Sequence, residues 1–208
     1  MKLQQSTTTE RKTNAPNFQS QSFQIGDSSM IMEILRSKLY SNPIQTLVQE
    51  VISNARDANR EVGSNRPIKI TVPTEHDLTL RIRDYGPGLS PDRMKSVFCN
   101  YGVSTKRNTN SQVGGYGIGA KSPWAYVDIF TIVTCVDGTA YHYCAHISKD
   151  HAGSLDLIST NQTNEPNGTE IQVICQLKDK QNFVNAVRRC VQHWKDSEFP
   201  EIEGTLID

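Results

Sequence analysis

The stretch VGGYGIGAKSP, residues 113–123, places four glycines in six residues ahead of a lysine. From Gly114 it nearly spells the phosphate-loop pattern G-x-x-x-x-G-K-S, but Ala120 stands between Gly119 and Lys121, so the lysine comes one residue late. From Gly115 it matches the permissive dinucleotide fingerprint G-x-G-x-x-A, which needs a strand just before it and a βαβ unit around it. The residues ahead of it, YGVSTKRNTNSQ, are polar and turn-prone instead. Neither familiar phosphate-binding fold therefore surrounds the loop. Its glycines still let consecutive N–H groups turn toward an anion, and the residues after it read as a helix start with Lys121 and Ser122 on or near the first turn. The same composition also suits a flexible hinge.

Working outward, the chain has 208 residues, enough for one well-cored domain or two at most. Its 22 basic and 22 acidic side chains cancel, so no bulk attraction to nucleic acid or an anionic membrane is implied. Residues 1–21 hold almost no large apolar side chains and read as a flexible N-terminal arm, or one that needs a partner. No apolar run approaches bilayer-spanning length and no signal-peptide core is present, which predicts a cytoplasmic protein. Five cysteines (Cys99, Cys135, Cys144, Cys175 and Cys190) are scattered without a C-x-x-C and read as reduced thiols. YHYCAH puts His142, Cys144 and His146 on one face of a strand. They could hold zinc, although no fourth ligand is evident, or simply face solvent or a partner.

Residues 28–39 read as a short amphipathic helix capped by Ser28 or Ser29. Residues 43–62 give the strongest helix pattern, with Asn42 as cap, Pro43 at the first position and Gly63 past the end. Short alternating strands at 68–72 and 78–84 precede the turn DYGPGLSP and a helix near 91–98, with Ser90 as cap. After the glycine loop, DIFTIVTCV, TAYHYCAHI, SLDLI and TEIQVICQL read as strands, with Asp137-Gly138 as a hairpin between the first two. A helix over 181–195 closes the series. Helices early and mostly antiparallel strands late predict a helical layer over one sheet, an α+β two-layer sandwich.

On the 43–62 helix, Ile44, Leu47, Val48, Val51, Ile52, Ala55, Ala58 and Val62 form an apolar stripe. Glu50, Asn54 and Asp57 flank it within an arc of about 80°. They are an ordinary polar flank or the lining of a pocket, where a carboxylate can deprotonate water and an amide oxygen can help hold magnesium. Asp84 ends a strand just before Gly86 and Gly88, which permit close backbone approach. It is either a turn aspartate or an acceptor for a donor such as adenine's amino group.

The order of these elements carries more than any one of them. E-x-x-x-N-x-x-D-A over Glu50–Ala58, D-x-G-x-G over Asp84–Gly88, G-x-x-G-x-G over Gly114–Gly119 and N-G-T over Asn167–Thr169 resemble the GHKL ATPases, the group of DNA gyrase B, the ninety-kilodalton heat-shock chaperones, bacterial histidine kinases and MutL. VSTKR and the GYGIGAKS loop also resemble the MORC proteins. Within the superfamily, LYSNPIQTLVQEVISNARDA, RDYGPGLS and GGYGIGAKSPWAYVDIFTI resemble the N-terminal domain of phage rIIA-type proteins. The resemblance implies a Bergerat fold over residues 22–200, helices over a mixed, mostly antiparallel sheet, with 201–208 a C-terminal tail or truncated linker. It implies ATP and magnesium as cofactors.

Carried onto this sequence, Glu50 resembles the general base, Asn54 the magnesium ligand and Asp84 the adenine anchor, with Gly86 and Gly88 beside it. Gly115, Gly117, Ile118 and Gly119 resemble the phosphate-contacting end of an ATP lid whose polar segment at 100–113 carries Lys106 and Arg107. Lys121 and Ser122 follow it, and Thr169 resembles the threonine that helps hold adenine. The rIIA-type resemblance implies a phage protein in a bacterial host's cytoplasm, acting in lysis timing or in resisting exclusion. Many GHKL ATPases receive a catalytic lysine from a following transducer domain, which is not expected within this length. A slow ATPase working as a nucleotide-driven switch is therefore weighed against a binding module with negligible turnover. Glu50 disfavours a histidine-kinase-type domain. The implied partners are ATP, a second copy through the N-terminal arm, or a host or phage protein.

Overall fold

Asn42 and Pro43 start the longest helix as the pattern requires. A computed structural model describes residues 20–22, 42–99, 119–148 and 153–204. The expected helix at 28–39, the polar segment at 100–113 and residues 114–118 lie outside them. In α1 (Pro43–Glu61), the Asn42 side chain accepts a hydrogen bond from Gln45 N–H at 3.0 Å. Pro43 occupies a position whose N–H would have no helical acceptor. At the far end Gly63 adopts φ +62°, its N–H donating to Arg60 O while Ser64 N–H donates to Asn59 O. Glycine takes this left-handed geometry at little cost. Leu47, Val48, Val51, Ile52 and Ala55 are buried as expected, but Val62 is 50% exposed while Asp57 and Asn59 are buried. Val62 lies past the last helical residue, so the helical period no longer aims it at the core.

The strands are β1 (Ser20–Ser22), β2 (Lys69–Thr71), β3 (Thr79–Arg83), β4 (Ile129–Val136), β5 (Thr139–Ile147), β6 (Gly153–Gln162), β7 (Gly168–Ile174) and β8 (Glu201–Glu203). They form one sheet in the order β1-β6-β5-β4-β7-β3-β2-β8. Every pairing is antiparallel except β2 with β8, so the sheet is mixed and mostly antiparallel. The β4–β5 hairpin turns at Asp137 (φ 47°) and Gly138 (φ 77°). Two positive φ values in a two-residue loop match the right-handed twist of the flanking strands. Two short strands fall in segments whose composition indicated arm and tail. β1 pairs with β6 and β8 with β2. Edge pairing uses backbone groups that every residue carries, so a polar segment joins a sheet without an apolar signature.

α2 (Pro91–Cys99) follows Ser90, whose carbonyl accepts from Met94 N–H at 2.7 Å. The residues after the glycine loop form a 3-10 helix, Gly119–Ala125, and not the start of an α-helix. Pro123 inside it has no N–H to donate, which disfavours a continuing α-helical ladder. α3 (Lys180–Val191) buries Phe183, Val184, Ala186, Val187 and Val191. Alternate strand residues, among them Leu80 and Ile82, Phe130 and Ile132, Tyr143 and Ala145, join the α1 stripe and α3 in one core. Trp124 meets Phe130 edge-on at 5.4 Å, and Tyr126 meets Phe183 at 5.0 Å. The result is the expected α+β sandwich. The sheet's other face carries Lys69, Arg81, Gln172, His142, Cys144 and His146, because side chains alternate along each strand.

Candidate functional site

Strand β3 ends where Arg83 pairs with Glu170 of β7, and the next residue, Asp84, is only 7% exposed. Its N–H donates to Thr169 O at 2.9 Å. Its Oδ1 accepts from Gly86 N–H at 2.9 Å and from Thr169 N–H at 3.1 Å. Among the described residues no group donates to Oδ2. Burial pushes the carboxyl up to about 6, against the pull of those two N–H groups and of the Arg83 and Arg93 charges. An ionised carboxylate only accepts hydrogen bonds, so the remaining oxygen suits a ligand's N–H.

Glycines shape the turn around it. A Cβ on Gly86 would lie 2.7 Å from both Cβ and the carbonyl oxygen of Ala58, so only glycine lets the turn rest on α1. Gly88 has φ +71°, and a Cβ on it would collide with the Cys135 carbonyl oxygen. Three further residues hold the turn, none marked as functional by sequence reasoning. Asn59 accepts Tyr85 N–H at 2.7 Å and donates to Arg66 O at 2.7 Å, stitching the end of α1 to the turn. Ala58 backs Gly86. Thr134 accepts Leu89 N–H at 2.7 Å and lies 3.2 Å from Thr169 Oγ1. Thr134 follows Phe130 and Ile132 on the inward positions of β4, and a polar residue at a third inward position is the signal that was available.

Glu50 and Asn54 are half-buried on α1. A Cβ on Gly119 would stand 2.6 Å from Glu50 Oε2 and 3.4 Å from Asn54 Nδ2. The end of the glycine loop thus meets these two side chains. Glu50, Asn54 and Ala58 are spaced by four and line one side of α1, with Ala58 about 6 Å along the axis from Asn54. One helix face therefore joins the Glu50–Asn54–Gly119 group to the Asp84–Gly86–Gly88–Thr169 group. Asp57 is buried. Lys121 is fully buried, its Nζ donating to Val97 O at 3.4 Å. Ser122 Oγ is buried with no hydrogen-bond partner among the described residues. Gly115, Gly117 and Ile118 lie outside the described residues.

Among the described residues, no group of three His, Cys, Asp or Glu side chains comes together to hold a metal. His146 Nε2 instead lies 3.0 Å from Asp156 Oδ2 across the β5–β6 pair.

The family model for histidine kinase-, DNA gyrase B- and HSP90-like ATPases matches residues 40–180. The chain belongs to that family. No curated protein matches it. The matched stretch of this GHKL domain runs from just before α1 into α3, and so contains both groups of side chains. ATP binding follows from family membership. No helix among the described residues of the GHKL domain is long and apolar enough to cross a membrane.

Proposed function

We propose that this domain binds ATP with magnesium and hydrolyses it slowly, its nucleotide state switching its shape. Asp84 carries the reading. A carboxylate with one oxygen saturated by backbone N–H groups and the other open to a donor fits adenine's amino group. Gly119 supports the phosphate end of the reading, since the space its missing Cβ leaves lies beside the Glu50 carboxylate and the Asn54 amide. Glu50 Oε2 is a hard oxygen there, whereas Asn54 presents its Nδ2 to Gly119; Asn54 would hold magnesium through its amide oxygen, together with the phosphates. Magnesium held by Asn54 would supply neutralisation of phosphate charge. Glu50, on the same helix side, takes the proton of the attacking water on a carboxylate oxygen, and the family resemblance assigns Gly115, Gly117, Ile118 and Gly119 to the phosphates, whereas Lys121 and Ser122 are buried in the fold. Thr169 sits beside the adenine anchor.

The experiment is phosphate release and ATP titration on Glu50→Gln. Hydrolysis is expected to fall by about 10²–10⁴-fold while ATP affinity stays near the parent's. Parental turnover in the variant overturns the general-base role. Absence of turnover in the parent, with tight ATP binding, favours the binding module that modulates another protein. The rIIA-type stretches support a further proposal, a role in a phage-infected bacterium through a host or phage partner. Deleting the gene from a phage that carries it is then expected to alter lysis timing or growth on an excluding host, and unchanged plaques on both hosts remove that role.

A further inference from the structure

Three arginines converge on a different side of α1 from Glu50 and Asn54. Arg56 and Arg60 are one turn apart on the helix, and Arg66 follows in the connection to β2. With Asn59, Trp194 and Glu198 they line a cavity of about 60 Å³. That is several times the space one water needs and suits a single tetrahedral group. Two of the guanidinium groups rest on rings. Arg56 lies 4.6 Å over Trp194, and Arg66 lies 3.8 Å over Tyr85. Stacking fixes the plane of a guanidinium and leaves its N–H edge to a ligand. Asn59 anchors the Arg66 backbone, donating to its carbonyl oxygen at 2.7 Å.

The polar groups of this cluster are incompletely paired. Arg60 donates to Glu198 Oε1 at 2.6 Å, and that hydrogen bond, helped by the Arg60 and Arg56 charges, holds the Glu198 carboxyl below the usual carboxylate range. The guanidinium groups of Arg56 and Arg66 donate to no acceptor among the described residues, and Arg56 Nε is closed off from solvent as well. A buried donor left unpaired costs stability, so an acceptor brought to it contributes affinity. Three arginines facing one carboxylate leave the cavity wall with an excess of two positive charges. A phosphate group carries about −1.5 to −2 at neutral pH and offers several acceptor oxygens to planar guanidinium forks. A carboxylate brings less charge, and chloride has no oxygen to place in a fork.

We propose that this arginine cavity binds the phosphate group of a small molecule, either free phosphate or a phosphomonoester, at a site separate from the Asp84 turn. The proposal stands apart from the nucleotide reading above.

The chain's two tryptophans make the test local. Trp194 lines the cavity, while Trp124 is wholly buried against Phe130 and serves as the internal control. Their indole N–H resonances are followed in the ¹⁵N-labelled whole chain as inorganic phosphate, glycerol phosphate or acetate is added, with sodium chloride holding the ionic strength constant. Both phosphates, or one of them, should shift Trp194 saturably and leave Trp124 in place, and the tighter of the two identifies the source of the group. Acetate should bind about tenfold more weakly or worse. Arg56→Gln and Arg66→Gln should each weaken phosphate binding by about tenfold or more, the worth of a charge-assisted hydrogen bond. No saturable shift of Trp194 with either phosphate, an equal affinity for acetate, or parental phosphate affinity in Arg66→Gln each overturn the assignment. Phosphate captured only at the Gly119 end of the other site would leave Trp194 unmoved, and so counts as the first of these. If Arg56→Gln does not fold, Arg66→Gln decides it, because Arg66 is exposed and its replacement leaves the core untouched.

Discussion

Asp84 has consequences at the scale of a single carboxyl group. Burial raises its pKa from an ordinary 3.8 to about 6, so the folded chain holds that proton more tightly than the unfolded one. The stability this adds is fully present below about pH 4 and is lost as pH rises toward about 6; the two-unit shift corresponds to something on the order of 3 kcal/mol. Ligand binding runs the other way, because adenine's amino group needs the ionised acceptor. ATP affinity is therefore expected to weaken as pH falls through about 6, while the ligand-free domain gains stability over the same interval. Titration calorimetry and thermal melts across pH 4.5–7.5 read both trends. In Asp84→Asn the carboxyl's contribution to both should vanish, and ATP affinity should fall because the amide can present a donor to a donor. Wild-type affinity in that variant would remove Asp84 from the adenine site.

At the scale of elements, α1 presents one side to both halves of the site, and two glycine substitutions separate them. A Cβ on Gly119 meets the carboxylate end of the Glu50 side chain, which must shift to make room. Gly119→Ala should cost less stability than Gly86→Ala, because a side-chain end gives way more readily than backbone, while displacing Glu50 and lowering hydrolysis with ATP binding kept. A Cβ on Gly86 meets Ala58 Cβ and backbone, which cannot yield without moving α1 or the turn. Gly86→Ala should destabilise by about 1–3 kcal/mol, the usual cost of overpacking, and weaken ATP binding. Chemical denaturation with ATP titration distinguishes them, and equal loss of binding in both variants counts against two separable groups on one helix face.

For the whole molecule, α3 closes the core from the far end of the chain, with Phe183 fully buried against Tyr126. Tyr126 is itself held in place, its hydroxyl donating to Asp179 Oδ2 and accepting Gln176 N–H, both at 2.9 Å. Phe183→Ala leaves a cavity between α3 and the sheet and should cost about 3–5 kcal/mol. For a domain of this size that lowers the melting temperature by roughly 10 °C or more. A loss below about 1 kcal/mol would mean that α3 is not part of the cooperative core.

How much was legible in the sequence follows from which forces are local. Asn42-Pro43 and Gly63 bounded α1, and Asp137-Gly138 marked the hairpin, because caps and positive-φ turns depend on residues next to one another in the chain. The helical period likewise placed Glu50 and Asn54, with Asp57, on the flank of the α1 stripe. Family motifs, in chain order, led to the ATP-binding fold. What the sequence left open depended on long-range placement. Zinc at His142, Cys144 and His146 was compatible with strand alternation, and only the β5–β6 register brought Asp156 to His146. The strands at 20–22 and 201–203 had no apolar signature, since pairing to a sheet edge uses backbone groups alone. Asn59 and Thr134 were ordinary polar residues until α1 and β4 were packed beside the Asp84 turn, because a hydrogen bond between residues tens of positions apart exists only once tertiary structure brings its donor and acceptor together.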